Sequence, residues 1–236
     1  MKQKSKSSSE PLNTTKEIYT RILSMIIDKE LLPGEKINQI KLTEKMQTSK
    51  TPIVKALHKL ESQWLVDNIP ESGFFVHELS MLELLELWEL REALDSIVIM
   101  ELVDTISEDQ IAQLDRLIQQ FENSVEQMDE KQYRKTDQEF HSVLLNMSRN
   151  SLVKKINEHF QIHNRCYIVG LLRKPDETLP EHCRLVDALR KRDREEAREA
   201  IVSHISKTKL FLQELIKNLR QVGVDPATIP FKEDEK

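Results

Sequence analysis

Between Met81 and about Gln221, apolar residues return every three or four positions with hardly a break. That spacing stacks them on one face of a helix and scatters them over both faces of a strand. No other feature constrains the fold as strongly. The chain has only four glycines in 236 residues and is rich in Leu, Ile, Glu and Lys. Helix formers are therefore plentiful and helix breakers scarce. The length suits two domains, one small and one larger.

Leu82, Leu85, Trp88 (or Leu87), Leu94 and Ile97-Val98 predict a broad apolar face on a helix reaching about Val103. Ser107 caps a second helix, with Ile111, Leu114, Leu117, Ile118 and Phe121 inward. A third runs from about Asp129 to Met147, Arg149-Asn150-Ser151 breaks it, and a fourth covers roughly Leu152 to Leu172. Lys174 to Pro180 reads as a loop, and Glu181 to Lys191 as a fifth helix. Asp193 with Glu196 has capping-box spacing for a sixth, running to about Gln221. Gly223 to Lys236 is expected to be a loose tail. The fold class is mostly α: an antiparallel bundle of six or seven helices over residues 79–222, behind a smaller front domain.

The front domain spans residues 12–78. Ile18, Ile22, Met25 and Ile26 share one helix face. Leu32-Pro33-Gly34-Glu35 then turns the chain, because Pro presets φ and Gly supplies a positive one. Asn38 caps a second helix carrying Ile40, Leu42 and Met46. Ser49 is placed to cap a third, with Pro52 in its first turn. There Ile53, Leu57 and Leu60 face inward, while Lys50, Thr51, Val54, Lys55 and His58 face out. Leu65 to Ile69 and Phe74 to Val76 predict a two-stranded ribbon, tipped by Pro70-Glu71-Ser72-Gly73. Two helices joined by a tight turn, the second polar at its start, have helix-turn-helix geometry. The second helix of such a pair enters the major groove of DNA. The ribbon would be a wing against the phosphate backbone.

Charge follows the same division. Residues 1–77 hold 12 Lys/Arg against 9 Asp/Glu, and the remainder 23 against 31. A slightly basic front and an acidic back fit a DNA-contacting module on a body that does not touch DNA. Met1 to Pro11 is Lys- and Ser-rich without an apolar segment, and is expected to be a disordered arm rather than a secretory signal. No apolar run approaches the roughly 18 residues a membrane span needs, so no membrane partner is expected. Cys166 and Cys183 are too few for a disulfide framework, which favours the cytoplasm.

The chemistry of the back domain is a histidine set. Asp137 and His141 are four apart and share a helix face; His182 opens the fifth helix and His204 lies in the sixth. Imidazole and carboxylate suit zinc, nickel, iron or manganese. Asp-x₃-His pairs are also common by chance, and most helical histidines are ordinary surface or core residues. His159 and His163 form another pair four apart, read as pocket lining or surface. Arg91 and Arg165 can anchor a carboxylate through a guanidinium fork, or simply pair inside an acidic bundle.

In order along the front domain, Ile18-Tyr19, Leu32 to Ile37, Ser49-Lys50-Thr51-Pro52-Ile53, Ala56-Leu57, Leu60-Glu61, Leu65-Val66 and Gly73-Phe74-Phe75-Val76 resemble the winged helix of GntR-type bacterial repressors. The back domain resembles the ligand-sensing (FCD) domain of the FadR branch of that family. The match is carried by Asp137 to Leu145, Arg149 to Leu152, Glu181 to Leu189, Ser203-His204-Ile205, and Leu87 to Leu94 with Arg91.

The resemblance implies a homodimer on a palindromic operator, with Ser49, Lys50, Thr51, Lys55, Ser72 and Gly73 at the DNA. It also implies that Asp137, His141, His182 and His204 hold a divalent transition metal (zinc, nickel or manganese) that receives a small carboxylate effector. The family usually has Arg at the positions of Lys50, Val54 and Ser72, Gly at Trp64, and an acid at Lys55. Lys lacks the bidentate fork that Arg offers guanine, so altered base readout is expected. No catalytic residues are expected. The rival readings are a metal-dependent hydrolase or lyase, for which no further motif supplies a base or an oxyanion site, and a regulator that senses the metal directly.

Overall fold

The computed structural model describes residues 14–160, 165 and 172–231. The N-terminal arm, His163, Cys166 and the end of the chain past Phe231 lie outside the described residues. The chain divides into two compact units between Glu78 and Leu79.

The first unit contains α1 (Thr15–Ile27), α2 (Gln39–Met46), α3 (Lys50–Glu61), β1 (Val66–Ile69) and β2 (Gly73–Val76). A reciprocal capping box starts α1: the Thr14 hydroxyl accepts from the Glu17 N–H, and Glu17 accepts from the Thr14 N–H. Ile18, Ile22, Met25 and Ile26 of α1 are buried, as are Ile53, Leu57 and Leu60 of α3, which packs against it. Asn38 caps α2 as expected. Of the apolar residues on α2, Leu42 and Met46 are buried and Ile40 is 69% exposed. It lies two residues from buried Leu42, about 200° round the helix. Ser49 occupies the N-cap of α3, but its hydroxyl makes no capping bond. The strands pair antiparallel, with Val66 opposite Val76 and Ile69 opposite Gly73. At the tip the Ser72 N–H donates to the Ile69 carbonyl at 3.0 Å, and Glu71 is left-handed with φ +63°. Pro70 followed by a left-handed residue is the pattern of a type II turn.

The second unit contains α4 (Met81–Thr105), α5 (Glu108–Glu126), α6 (Glu130–Met147), α7 (Ser151–Phe160), α8 (Pro175–Lys191) and α9 (Arg194–Gln221). Capping boxes at Ser80 and Ser107 start α4 and α5. Along its length α4 packs on α9, and α5 contacts both α6 and α8. The buried face of α4 is Leu84, Leu87, Trp88, Arg91, Leu94, Asp95, Val98 and Leu102. Leu82 and Leu85 are only half-buried and Ile97 is exposed, which corrects the expected stripe. Apolar residues such as Leu90 and Ile97 stand on its exposed side as well, so its sequence does not single out a face; the neighbouring helices do. Glu101 fixes the corner after α6, accepting from the Ser148 hydroxyl at 2.5 Å and the Arg149 N–H at 2.6 Å.

Two further expectations are corrected. The segment Lys174 to Pro180 is not a loop, because α8 begins at Pro175. Pro at the first helical position loses no hydrogen bond, and Asp176 and Glu177 suit the positive end of the helix dipole. Pro180 then sacrifices a single backbone bond. The chain after Gly223 is not loose as far as Phe231. The Met81 N–H donates to the Ile229 carbonyl at 3.0 Å, and the Phe231 N–H donates to Leu79 at 2.9 Å. Phe231 also packs against the bundle core. The fourth helix is described to Phe160; its expected continuation to Leu172 falls largely outside the described residues. No helix among the described residues is long and apolar enough to cross a membrane.

Gly223 ends α9 in a left-handed conformation, but a chain with four glycines must end most helices without one. Gln47, Trp64, Met128 and Arg192 all take φ between +51° and +60°. Each is followed by an N–H that reaches back five residues: Thr48 to Thr43, Leu65 to Leu60, Asp129 to Ser124, Asp193 to Ala188. This is the Schellman stop usually given to glycine. Trp64 stands where the resemblance implies Gly, and its φ of +60° shows why.

Candidate functional site

Three helices bring the histidines together. His141 comes from the middle of α6, His182 from the second turn of α8 and His204 from α9. One ligand atom from each lies within 4.8 Å of the other two, and all three residues are buried. Ring centroids are 5.6 Å apart for His141–His182, 5.3 Å for His141–His204 and 4.7 Å for His182–His204. Asp137, one turn before His141, joins from the edge, its Oδ1 3.1 Å from His182 Nε2. Phe121 stacks on the His182 ring at 4.6 Å, and Phe140, next to Phe121, lies tilted against it at 4.9 Å.

The electrostatics favour ligand-ready forms. Burial, with help from Arg91, pushes the His141 imidazole down to about 3, against Asp95 and Asp137. Burial likewise lowers His204. Burial works to raise Asp137, but the His182 hydrogen bond and positive charge nearby, that of Arg91 included, hold it well below the usual carboxylate range. At neutral pH His141 and His204 are neutral imidazoles and Asp137 is a carboxylate, the donor forms a divalent ion requires.

The residues fit such an ion. His182 Nδ1 is buried without a hydrogen-bond partner among the described residues, and its Nε2 faces the Asp137 carboxylate. Two donors each about 2.1 Å from an ion and at right angles would be about 3 Å apart, close to the Asp137–His182 separation. Cys183 is outside the cluster; one residue along a helix turns about 100° away.

Two carboxylates that the sequence reading missed back the histidines. Asp95 Oδ2 faces His141 Nδ1 at 3.4 Å and Arg91 Nε at 3.4 Å. Glu181 Oε2 faces His204 Nδ1 at 2.8 Å. A usable signal existed for Asp95, since it follows Arg91 by four residues, the spacing of a helical ion pair. For Glu181, which simply precedes His182, the sequence offered none. Of the expected effector anchors, Arg91 is fully buried with its guanidinium 4.5 Å from the Trp88 ring. Arg165 is also buried. His159 is exposed, away from any pocket-lining role.

On the front unit Ser49, Lys50, Thr51, Lys55 and Ser72 are all exposed, and Gly73 has φ +98°. The first four lie on the first two turns of α3, and Ser72 and Gly73 at the wing tip. Lys59 lies 4.1 Å over the Tyr19 ring and Lys36 5.9 Å from that of Phe75. His58 pairs with Glu61 at 2.7 Å and meets Phe74 edge-on. The first two turns of α3 thus present Lys50 and Lys55.

A winged helix-turn-helix followed by an all-helical bundle with an internal histidine cluster is the architecture of a ligand-responsive bacterial transcription regulator. Residues 14–76 match the family "Bacterial regulatory proteins, gntR family", and residues 86–207 match the FCD domain. The chain belongs to the gntR family of transcriptional regulators that carry an FCD domain. It is 23% identical to the uncharacterized HTH-type transcriptional regulator YdhC of Bacillus subtilis over 80% of this chain and 87% of that one. It is also 23% identical to the HTH-type transcriptional repressor RspR of Escherichia coli, over 90% of this chain and 91% of that one. The solved structure of E. coli McbR/YncC shares the fold, with a TM-score of 0.74 at 19% identity over 86% of this chain and 99% of that one. The matched families and relatives are regulators of transcription, not enzymes.

Proposed function

We propose that this regulator is a repressor whose operator affinity is set by a small carboxylate bound at a divalent metal in the bundle. The observation that carries the reading is the buried convergence of His141, His182 and His204 beside Asp137. These four residues would hold the ion, with Arg91 and Arg165 supplying positive charge for the acid. A bound ion would supply a Lewis-acidic point for a carboxylate oxygen. The chain's own part is to keep His141 and His204 neutral by burial and to shield the site with Phe121 and Phe140.

Ser49, Lys50, Thr51 and Lys55 would enter the major groove, and Ser72 and Gly73 would track the backbone. Two copies in a homodimer would meet two half-sites of a palindromic operator, about 34 Å apart. Repression is supported by the name of RspR, and by the simplest linkage: an acid that prefers the arrangement unable to bind DNA releases the operator.

The test is a fluorescence-anisotropy titration of selected DNA with metal-loaded and chelator-treated protein, with and without a panel of small mono- and dicarboxylates. Sequence-selective binding that one acid weakens at least 10-fold only in the metal-loaded protein is expected. Selective binding indifferent to metal and to every acid would remove the sensing half of the proposal. Absence of selective binding under all conditions would remove the whole.

A further inference from the structure

We infer that Glu181 is the positioning residue of the histidine cluster, fixing His204 so that its Nε2 is the nitrogen offered to an ion. This rests on the metal reading above and adds a residue outside the ligand set. The geometry is specific. Glu181 Oε2 lies 2.8 Å from His204 Nδ1. Arg173 donates to both carboxylate oxygens at 2.8 Å, one from each terminal nitrogen. Lys207 donates to Oε1 at 2.6 Å. Arg173 also lies 3.4 Å from the His204 carbonyl. Three elements are tied at one carboxylate: the residue ahead of α8, the second turn of α8, and α9.

A carboxylate held by two cations stays ionised, and an ionised carboxylate only accepts hydrogen bonds. His204 must therefore donate, which puts its proton on Nδ1 and leaves the Nε2 lone pair free. A ligand histidine whose other nitrogen is anchored this way has a fixed ring plane and a more basic donor atom. The side of Glu181 is also asymmetric. His204 and Glu181 are each about a tenth exposed, whereas Lys207 is half exposed. The anchor thus reaches from the buried cluster to solvent, with Arg173 as its inner clamp and Lys207 as its outer one. His182 has no such anchor among the described residues, and its Nε2 instead meets Asp137. Two different devices therefore orient two adjacent ligands.

The experiment combines metal titration with nitrogen-detected NMR of the histidine rings on full-length protein. Wild type, Glu181→Ala, Glu181→Gln and the surface control Glu196→Gln are titrated with zinc, nickel and manganese. Expected are an Nδ1–H tautomer for His204 in metal-free wild type, and its loss or averaging in Glu181→Ala. Metal affinity should fall about 10–100-fold in Glu181→Ala. Glu181→Gln, which keeps an acceptor oxygen, should hold the tautomer and lose less affinity, and this guards against a mere folding defect. Glu196→Gln should match wild type.

An Nε2–H tautomer in wild type overturns the inference, as does wild-type affinity in Glu181→Ala. Wild type that binds none of the three ions overturns the metal reading and the role built on it. The two failures are distinct: one appears only in the variants and the tautomer, the other in wild type.

Discussion

At the scale of single residues, the surface proposed to read bases departs from the arginine-rich pattern that the family resemblance implies. Lys50 and Lys55 are exposed on α3, while half-buried Val54 supplies neither charge nor hydrogen bond. A point charge can hold a phosphate, but it reads guanine less selectively than a fork does. Val54→Arg is expected to tighten operator binding several-fold at moderate salt. It should also steepen the log K against log salt slope by about 0.9, the release expected for one added phosphate contact. Anisotropy titrations between 50 and 300 mM salt, roughly the range over which such slopes are read, check both. An unchanged slope with unchanged affinity would place position 54 off the DNA.

At the scale of elements, the helix ends show how a glycine-poor sequence still makes its turns. Met128 ends α5 in a left-handed conformation while 88% exposed, so its side chain contributes almost no burial there. A non-glycine residue in that region costs roughly 1–2 kcal/mol, and glycine gives back part of this through its freer unfolded state. Met128→Gly is expected to stabilise the bundle by about 0.5–1 kcal/mol, read as a higher urea midpoint with an unchanged slope. A lower midpoint would mean that Met128 makes contacts its exposure does not suggest. The segment from Val224 to Phe231 belongs at this scale too. Its two backbone bonds at Leu79 and Met81 convert a sequence-level tail into part of the first turn of α4.

At the scale of the whole molecule, the buried histidines and carboxylates link stability to pH with one sign. His141 and His204 sit below the ordinary imidazole value in the folded state. Their stabilisation is complete above about pH 6.5; for His141 it is lost as pH falls toward its folded value of about 3. Asp137 and Glu181 are depressed as well: burial raises both, and their hydrogen-bond partners more than offset it. Their contribution is complete above about pH 4 and is lost below that. In each case the unfolded chain binds protons the folded one refuses, so stability falls with falling pH. Urea unfolding of chelator-treated protein should show a decline beginning near pH 6.5 and steepening near pH 4. A flat profile between pH 7 and 5 would mean that the imidazoles are not held neutral inside the bundle.

Sequence alone determined the helical body and the wing. Both rest on local rules: periodicity, capping residues such as Asn38, Ser107 and Asp193, and turn chemistry at Pro33-Gly34 and Gly73. It also named the four candidate ligands, although only the family resemblance raised them above chance spacing. Sequence mistook Lys174 to Pro180 for a loop, because two prolines outweigh everything else in a local reading. On α4 it grouped Leu82, Leu85 and Ile97 with the buried Trp88, Leu94 and Val98, because apolar residues occur on both sides of that helix.

Only the tertiary structure decided which face of α4 is buried, and that Asp95 and Glu181 stand behind His141 and His204. Such pairings depend on how separate helices pack. Burial strengthens a charge interaction there by removing water from around it, and no spacing along the chain encodes where that happens.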